Sequence, residues 1–127
     1  MLASASFDKS IKLWDASVET EKLSYDFPDS VFSIDWNYNG SLLAVMGKDK
    51  KIRIFDPRAS SIAQVRLPPP APKRGLTPKI LLFQEGASHE GVKPSYVVWL
   101  GDADRLASTG FTKMRERELA IWDVRDL

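Results

Sequence analysis

The sequence contains no cysteine and a single histidine, and these absences exclude several kinds of site. Without cysteine the chain can form neither a disulfide framework nor a thiolate metal site. His89 alone cannot supply a zinc site built on histidine pairs, nor a triad that needs a second histidine. Phosphate-binding loops of the Walker or paired-glycine type are missing as well. We therefore expect a protein that is not an enzyme and that has no catalytic residues, metal ligands or cofactor.

Long apolar runs and a large excess of one charge are also missing. The longest apolar stretches, ILLF and YVVWL, are too short to span a membrane. The N-terminus lacks the basic and apolar regions of a secretory signal. With 18 Lys and Arg against 17 Asp and Glu, the net charge of +1 gives no indication of nucleic-acid binding. The absence of cysteine fits a reducing compartment, so we expect a cytoplasmic protein without a membrane span.

The chain does contain a repeat with a period of 41 residues. The segment LASASFDKSIKLWD at 2–15 aligns without a gap with LAVMGKDKKIRIFD at 43–56. A third copy, LASTGFTKMRERELAIWD at 106–123, is four residues longer. A strand pattern that ends in Trp36 or Trp99 precedes the second and third copies at the same distance. A period near 41 is typical of the four-stranded blades of a WD40 β-propeller.

Alternating aliphatic and polar residues, with Asn, Gly and Asp at the turns, predict an all-β fold. The predicted strands lie at about 2–6, 10–15, 22–27, 30–36, 42–47, 51–56, 62–66, 94–100, 105–110 and 118–123. This pattern predicts a WD40 β-propeller fragment of about two to three blades. Its parts are a blade end at 1–27, a complete blade at 30–66, a proline-rich insert at 67–93 and a partial blade at 94–127. Because the first copy begins in mid-blade, we expect the chain to be a piece of a larger propeller or a truncated gene model.

The predicted insert at 67–93 interrupts the period. Its segment PPAPKR at 69–74 has the PxxP spacing, followed by a basic residue, that SH3 domains bind. Proline also favours an extended, solvated chain, so the commoner interpretation is a surface loop. The segment KILLFQE at 79–85 is apolar enough to form an additional strand. An unspliced intron would produce the same interruption.

The first copy of the repeat carries Ser4, Asp8 and Trp14, which fit a buried hydrogen-bond network of a WD40 blade. A strand serine, a turn aspartate and an indole N–H can satisfy one another, with a histidine as the fourth member. The alternative is that the three are separate turn and packing residues. The second copy has Val45, Asp49 and Phe55 at the matching places, so we expect its blade to rely on apolar packing. His89 either fills the histidine position between blades or lies in a loop.

Basic residues cluster at two equivalent turns, and these are the candidates for binding a partner. They are Lys48, Lys50, Lys51 and Arg53 in one turn, and Lys113, Arg115 and Arg117 in the other. Equivalent turns lie on the same face of a propeller, so the two clusters would form one basic patch. The alternative is a solvated rim, which the interspersed Asp49, Glu116 and Glu118 favour. An acidic filament surface would suit such a patch through electrostatic steering.

Three segments, in order, are more specific than a general WD40 pattern. They are WNYNGSLLAVMGKDKKIRIFDPR at 36–58, HEGVKPS at 89–95 and STGFTKMRERELAIWD at 108–123. Each resembles the corresponding part of coronins, and the resemblance as a whole covers nearly the whole chain except about 59–88. The resemblance implies a propeller of about seven blades that binds actin filaments, works with actin-assembly factors and associates with the cytoskeleton.

The chain also departs from the coronin pattern in two ways. Its insert is longer than the family's, and the basic blade surface with which the family binds filaments precedes this stretch. The partners we expect are actin filaments, actin-assembly regulators and the remaining blades of the same propeller. The alternative function is a general WD40 scaffold for another pathway, for example vesicle or Golgi trafficking. The resemblance does not distinguish the short coronins from those with two propellers in tandem.

Overall fold

The computed structural model describes residues 1–58 and 82–124, and these residues form ten β-strands. The strands are β1 (Leu2–Ala5), β2 (Ser10–Asp15), β3 (Thr20–Asp26), β4 (Val31–Trp36), β5 (Leu43–Gly47), β6 (Lys51–Phe55), β7 (Leu82–Ala87), β8 (Tyr96–Trp99), β9 (Arg105–Phe111) and β10 (Arg117–Asp123). The described ranges include no helix with the length and apolarity that a membrane crossing requires.

The strands form three antiparallel sheets whose members follow one another along the chain. The first sheet contains β1 to β3, the middle sheet β4 to β7, and the third sheet β8 to β10. Each sheet is an up-and-down meander, as in a propeller blade. Trp36 pairs with Leu43 in the middle sheet, and Trp99 pairs with Leu106 at the equivalent point of the third. The predicted fold class, an all-β propeller fragment, is confirmed.

The middle sheet differs from the prediction in its fourth strand. β7 pairs with β6, from Lys51 opposite Ala87 to Phe55 opposite Leu82. The predicted strand at 62–66 lies outside the described residues, as does the PxxP segment at 69–74. The complete blade therefore reaches residue 87 and does not end at 66, and the interruption falls between its third and fourth strands. Both candidate segments are apolar enough to form a strand, so the sequence alone does not distinguish them.

Two apolar clusters hold the three sheets together. The cluster between the first and middle sheets contains Ile11, Leu13, Tyr25, Phe27, Val31, Leu43, Val45 and Phe55. The cluster between the middle and third sheets contains Ala44, Met46, Ile52, Ile54, Val97, Trp99, Leu106 and Val124. Alternate residues of β5 enter opposite clusters, because successive side chains of a strand point to opposite faces. This explains why β5 is an unbroken apolar run and is buried along its whole length.

The first strands of the middle and third sheets, β4 and β8, lie side by side. The backbone N–H of Trp99 donates to the Asp35 carboxylate over 2.8 Å, and its indole N–H donates to the Asp35 carbonyl over 3.1 Å. Trp99 is buried with 7% of its surface exposed. Trp36 holds the equivalent place one blade earlier and is partly buried against the first cluster. The two tryptophans therefore share a position but not the same degree of burial.

Candidate partner-binding surface

Three equivalent hairpin turns each place a basic residue in the left-handed backbone region. The residues are Lys9 between β1 and β2, Lys50 between β5 and β6, and Arg115 between β9 and β10, with φ of 69°, 65° and 66°. A residue other than glycine costs about 1–2 kcal/mol in this region, so the hairpin geometry must hold it there. The three turns thus present basic side chains in the same backbone conformation. Lys9 is not among the residues predicted from the sequence to bind a partner, although the 41-residue period aligns it with Lys50.

The basic turns of the middle and third sheets lie on the same face of the molecule. The Nζ of Lys50 donates to the backbone carbonyl of Glu90 over 2.7 Å. The Nζ of Lys113 lies 3.2 Å from the carboxylate Oε2 of the same glutamate. Glu90 belongs to the loop between β7 and β8, so it lies between the two turns. We call the exposed residues Lys48, Lys50, Lys113 and Arg115 the basic face.

The other three candidates differ in their surroundings. Lys51 is exposed at the start of β6, where it makes further contacts. Arg117 is exposed at the start of β10 and lines an apolar groove with Tyr96 and Leu119, on the open face of the third sheet. Arg53 is buried, with 8% of its surface exposed. A guanidinium buried to this degree is not presented to a partner in this structure, so Arg53 is not included in the basic face.

The burial of Arg53 follows from the alternation of side chains along β6. Arg53 lies two residues before Phe55, a member of the first apolar cluster, so both side chains lie on the same face of the strand. Its guanidinium forms an ion pair with Asp49, in which Nη1 lies 3.1 Å from Oδ1. Asp49, whose side chain is 22% exposed, is thus paired with Arg53 and offsets the charges of Lys48 and Lys50 less than an unpaired carboxylate would.

The turn of the first sheet carries less positive charge than the other two. The hydroxyl and the backbone N–H of Ser10 donate to Asp8 over 2.7 and 2.9 Å. These hydrogen bonds hold the pKa of Asp8 below its usual value, with the hydroxyl as the larger cause. Asp8 therefore stays ionised next to Lys9 and offsets its charge. Positive charge is concentrated on the turns of the middle and third sheets.

The predicted network of Ser4, Asp8 and Trp14 is formed only in part. The indole N–H of Trp14 donates to the Ser4 hydroxyl over 2.9 Å, as the spacing suggested. Asp8 bonds to Ser10 and contacts neither of the other two. The residue therefore shapes its own turn and does not extend the network.

A complete network of this kind lies in the third sheet and includes the single histidine. Trp122 donates from Nε1 to the hydroxyl of Ser108 over 2.7 Å, and this hydroxyl lies 2.8 Å from Nε2 of His89. The other ring nitrogen, Nδ1, lies 2.8 Å from Oε2 of Glu118. A neutral imidazole protonated on Nδ1 satisfies every group, because Ser108 then donates to Nε2 and Nδ1 donates to the carboxylate.

The network leaves His89 no open position for chemistry. The side chain is buried with 5% of its surface exposed, and both ring nitrogens are bonded within the blade. The ring packs against Gly110, where an added Cβ would lie 2.4 Å from the imidazole Cγ. In the described part of the chain, no three His, Asp or Glu side chains lie close enough to hold a metal ion. The polar network around His89 can hold strands and loops in place. The candidate groups for binding a partner are those of the basic face.

Comparisons with known proteins agree with this architecture. The WD40 family model, described as "WD domain, G-beta repeat", matches residues 1–15 and 21–56. The coronin-like protein of Saccharomyces cerevisiae is 36% identical over 124 residues, which cover 98% of this chain and 16% of that protein. The coronin-like protein crn1 of Schizosaccharomyces pombe is 35% identical over 127 residues, which cover 100% of this chain and 18% of the relative. The chain therefore spans less than a fifth of the length of these relatives.

A solved structure gives the same result in three dimensions. The crystal structure of the WD40 domain of Toxoplasma gondii coronin superposes with a TM-score of 0.77 at 32% sequence identity. The match covers 98% of this chain and 28% of that domain's chain. The three meander sheets, the 41-residue repeat and these similarities lead to one conclusion. The chain is a stretch of WD40 β-propeller that belongs to the coronin family.

Proposed function

We propose that this chain is a non-enzymatic interaction module that binds actin filaments through the basic face and so contributes to organising the actin cytoskeleton. The observation that carries the proposal is the shared contact of Lys50 and Lys113 with Glu90, which joins the turns of two blades into one surface. The coronin resemblance supplies the partner, because coronins bind filaments and work with actin-assembly regulators. A cytoplasmic, cytoskeleton-associated location follows from the same proposal.

The basic face would act mainly by steering an acidic partner. Its four cations are exposed, so each interacts with a partner charge through water, at about 1 kcal/mol for a separation of 4 Å. Such charges raise the association rate and fix orientation more than they add affinity. Screening over about 8–10 Å at physiological ionic strength makes the interaction depend on salt. Binding through this face should therefore weaken steeply as salt is added.

The open face of the third sheet supports a second partner, a further blade of the same propeller. Tyr96, Val98, Leu119 and Ile121 are 58%, 50%, 69% and 64% exposed. The middle sheet, by contrast, is covered on both faces by its neighbours. An apolar sheet face of this size is normally covered in a folded propeller. The limited share of its relatives that the chain spans is consistent with a neighbouring blade.

Charge reversal on the basic face tests the proposal. We expect the combined substitutions Lys48→Glu, Lys50→Glu and Arg115→Glu to weaken co-sedimentation with filamentous actin by about tenfold at low salt. The loss should shrink as salt is raised, while the melting temperature changes little because exposed charges contribute little to stability. The measurement should use the full-length protein that contains this sequence.

A matched control reverses three cations at the opposite ends of the strands. The substitutions are Lys22→Glu, Arg58→Glu and Arg105→Glu, all at exposed positions. This variant should bind filaments within about twofold of the unmodified protein. Equal losses in both triple variants would contradict a specific basic face. A protein that stays in the supernatant at low salt before any substitution would favour the general WD40 scaffold.

A further inference from the structure

We infer that Glu90 acts as an intramolecular competitor on the basic face: its carboxylate occupies Lys113, where an acidic group of the partner would otherwise bind. The inference deepens the proposed function and rests on it, because it concerns the same surface and a partner with acidic groups. It assigns a specificity-determining role to one residue in the loop between β7 and β8. That residue limits how strongly the face attracts anions.

The loop that carries Glu90 is fixed to both turns by backbone hydrogen bonds. On one side, the N–H of Ser88 donates to the carbonyl of Lys50 over 2.8 Å. On the other side, the N–H of Gly91 donates to the carbonyl of Phe111 over 2.6 Å. A Cβ at Gly91 would lie 2.5 Å from that carbonyl, so this close approach needs glycine. The buried His89 holds the centre of the loop, so Glu90 is kept between the two turns.

The two contacts of Glu90 differ in what a substitution would remove. Lys50 donates to the backbone carbonyl, which any residue at this position retains. Lys113 contacts the carboxylate, and the side chains of Lys113 and Glu90 are 73% and 65% exposed. An ion pair this exposed contributes little to stability and can be exchanged for a partner's carboxylate. A change of the side chain alone should therefore free Lys113 without moving Lys50 or the loop.

The removal of the Glu90 charge should strengthen binding to an acidic partner. Glu90→Gln retains the shape of the side chain and deletes a charge that both neutralises Lys113 and repels an approaching anion. One exposed charge in water supplies about a two- to fivefold change in affinity. The gain should be largest at low salt and fade as the Debye length shortens, because the effect is electrostatic.

Glu116 provides a matched control in the same neighbourhood. It is exposed, it lies in the β9–β10 turn, and within residues 1–58 and 82–124 its carboxylate forms no ion pair. Glu116→Gln changes the net charge of the protein by the same amount. A general charge effect would therefore act equally in both variants. The competitor role requires a clearly larger gain for Glu90→Gln, and that excess must disappear when Lys113→Gln is also present.

The experiment measures two probes in parallel, filamentous actin by co-sedimentation and poly-L-glutamate by fluorescence anisotropy, with the full-length protein. We expect Glu90→Gln to bind both probes about two- to fivefold tighter than the unmodified protein at low salt, with an unchanged melting temperature. If Glu90→Gln and Glu116→Gln give equal gains on poly-L-glutamate, the inference is overturned, whatever happens with actin. If only Glu90→Gln gains on poly-L-glutamate while actin never binds, the competitor role stands and the proposed actin function fails.

Discussion

The middle and third sheets have the same backbone plan but different chemistry at the same positions. Val45 in the middle sheet corresponds to Ser108 in the third, and Phe55 corresponds to Trp122. In the middle sheet both residues belong to an apolar cluster. In the third sheet the hydroxyl and the indole are bonded to each other and to a histidine. The repeat therefore conserves the path of the chain, while each blade fills its interior in its own way.

The surroundings of each sheet explain why the apolar interior of the middle sheet and the hydrogen-bonded interior of the third sheet are both stable. The middle sheet lies between two neighbours, so apolar side chains on both faces gain from burial. Arg53, a buried charge of this sheet, is paired with Asp49. The third sheet satisfies every member of its polar network, and a fully satisfied network rigidifies a core where a partly satisfied one would destabilise it. The comparison can be tested by substitutions at equivalent positions.

The largest effect should come from the tryptophans that end the first strand of each of the two sheets. Trp99→Ala removes a buried ring and the indole hydrogen bond to the Asp35 carbonyl, so it should cost about 3–5 kcal/mol in the free energy of unfolding. Trp36→Ala should cost clearly less, because Trp36 is only partly buried. Urea denaturation of both variants measures the difference. Equal losses would show that burial in the present structure does not determine the contribution of this position.

The second effect concerns the glycines at the ends of β5 and β9. Gly110→Ala would place a Cβ 2.4 Å from the His89 ring, which is buried and held at both nitrogens. We expect a loss of about 3 kcal/mol, the upper part of the range for overpacking. Gly47→Ala meets the end of the Asp49 side chain at 2.4 Å. That carboxylate ends a short side chain that is 22% exposed, so it can shift while it stays paired with Arg53, and a smaller loss of about 1 kcal/mol is expected there. Thermal unfolding of the two variants provides the test, and a larger loss for Gly47→Ala would reverse the comparison.

The 41-residue repeat made most of the strands predictable, but it did not identify β7, the fourth strand of the middle sheet. The period of 41 fixed the register of the strands that it covers, because turn residues and apolar alternation recur together. β7 lies beyond an interruption of the period, and residues 56–81 separate it from β6. Two segments there are apolar enough to form a strand, and no local rule selects between them. Only the pairing with β6 identifies the fourth strand.

The functional surface was predictable as a set of turns but not residue by residue. Equal spacing indicated that the two basic turns share a face, yet nothing in the spacing showed that Glu90 lies between them. Arg53 could have been excluded, because the alternation along β6 places it on the same face as Phe55. The acid of the polar network, Glu118, lies in β10 and not in the turn, where the first copy has Asp8. Because the third copy has four extra residues, its alignment with the first copy does not show that Glu118 takes the place of Asp8.

The third-largest effect compares the interiors of the middle and third sheets at one equivalent position, which Val45 and Ser108 occupy. Ser108→Ala leaves the indole N–H of Trp122 and a ring nitrogen of His89 without their partner, which should cost about 1–3 kcal/mol. Val45→Thr, nearly isosteric, places a hydroxyl into the apolar cluster of the middle sheet and should cost a similar amount. Chemical denaturation checks both. If either variant leaves the free energy of unfolding unchanged, its sheet tolerates the type of side chain that the other sheet has at this position.

The smallest effect should come from the same hydrogen bond in an exposed setting. Ser4 and Trp14 form the pair that Ser108 and Trp122 form in the third sheet, at 2.9 Å compared with 2.7 Å. Ser4 is exposed, whereas Ser108 is 1% exposed. When Ser4→Ala removes the acceptor, water can bond the indole N–H of Trp14, so the loss should be about 0.5 kcal/mol.

The difference between the losses in unfolding free energy for Ser4→Ala and Ser108→Ala then isolates the contribution of burial. The donor, the acceptor and the strand positions are equivalent in the two pairs. Ser4→Thr provides the matched control, because it retains the hydroxyl and should unfold at the same denaturant concentration as the unmodified chain. A loss for Ser4→Ala as large as that for Ser108→Ala would contradict the argument. It would mean that Ser4 is shielded from water in solution, as it would be if another blade packed against the first sheet.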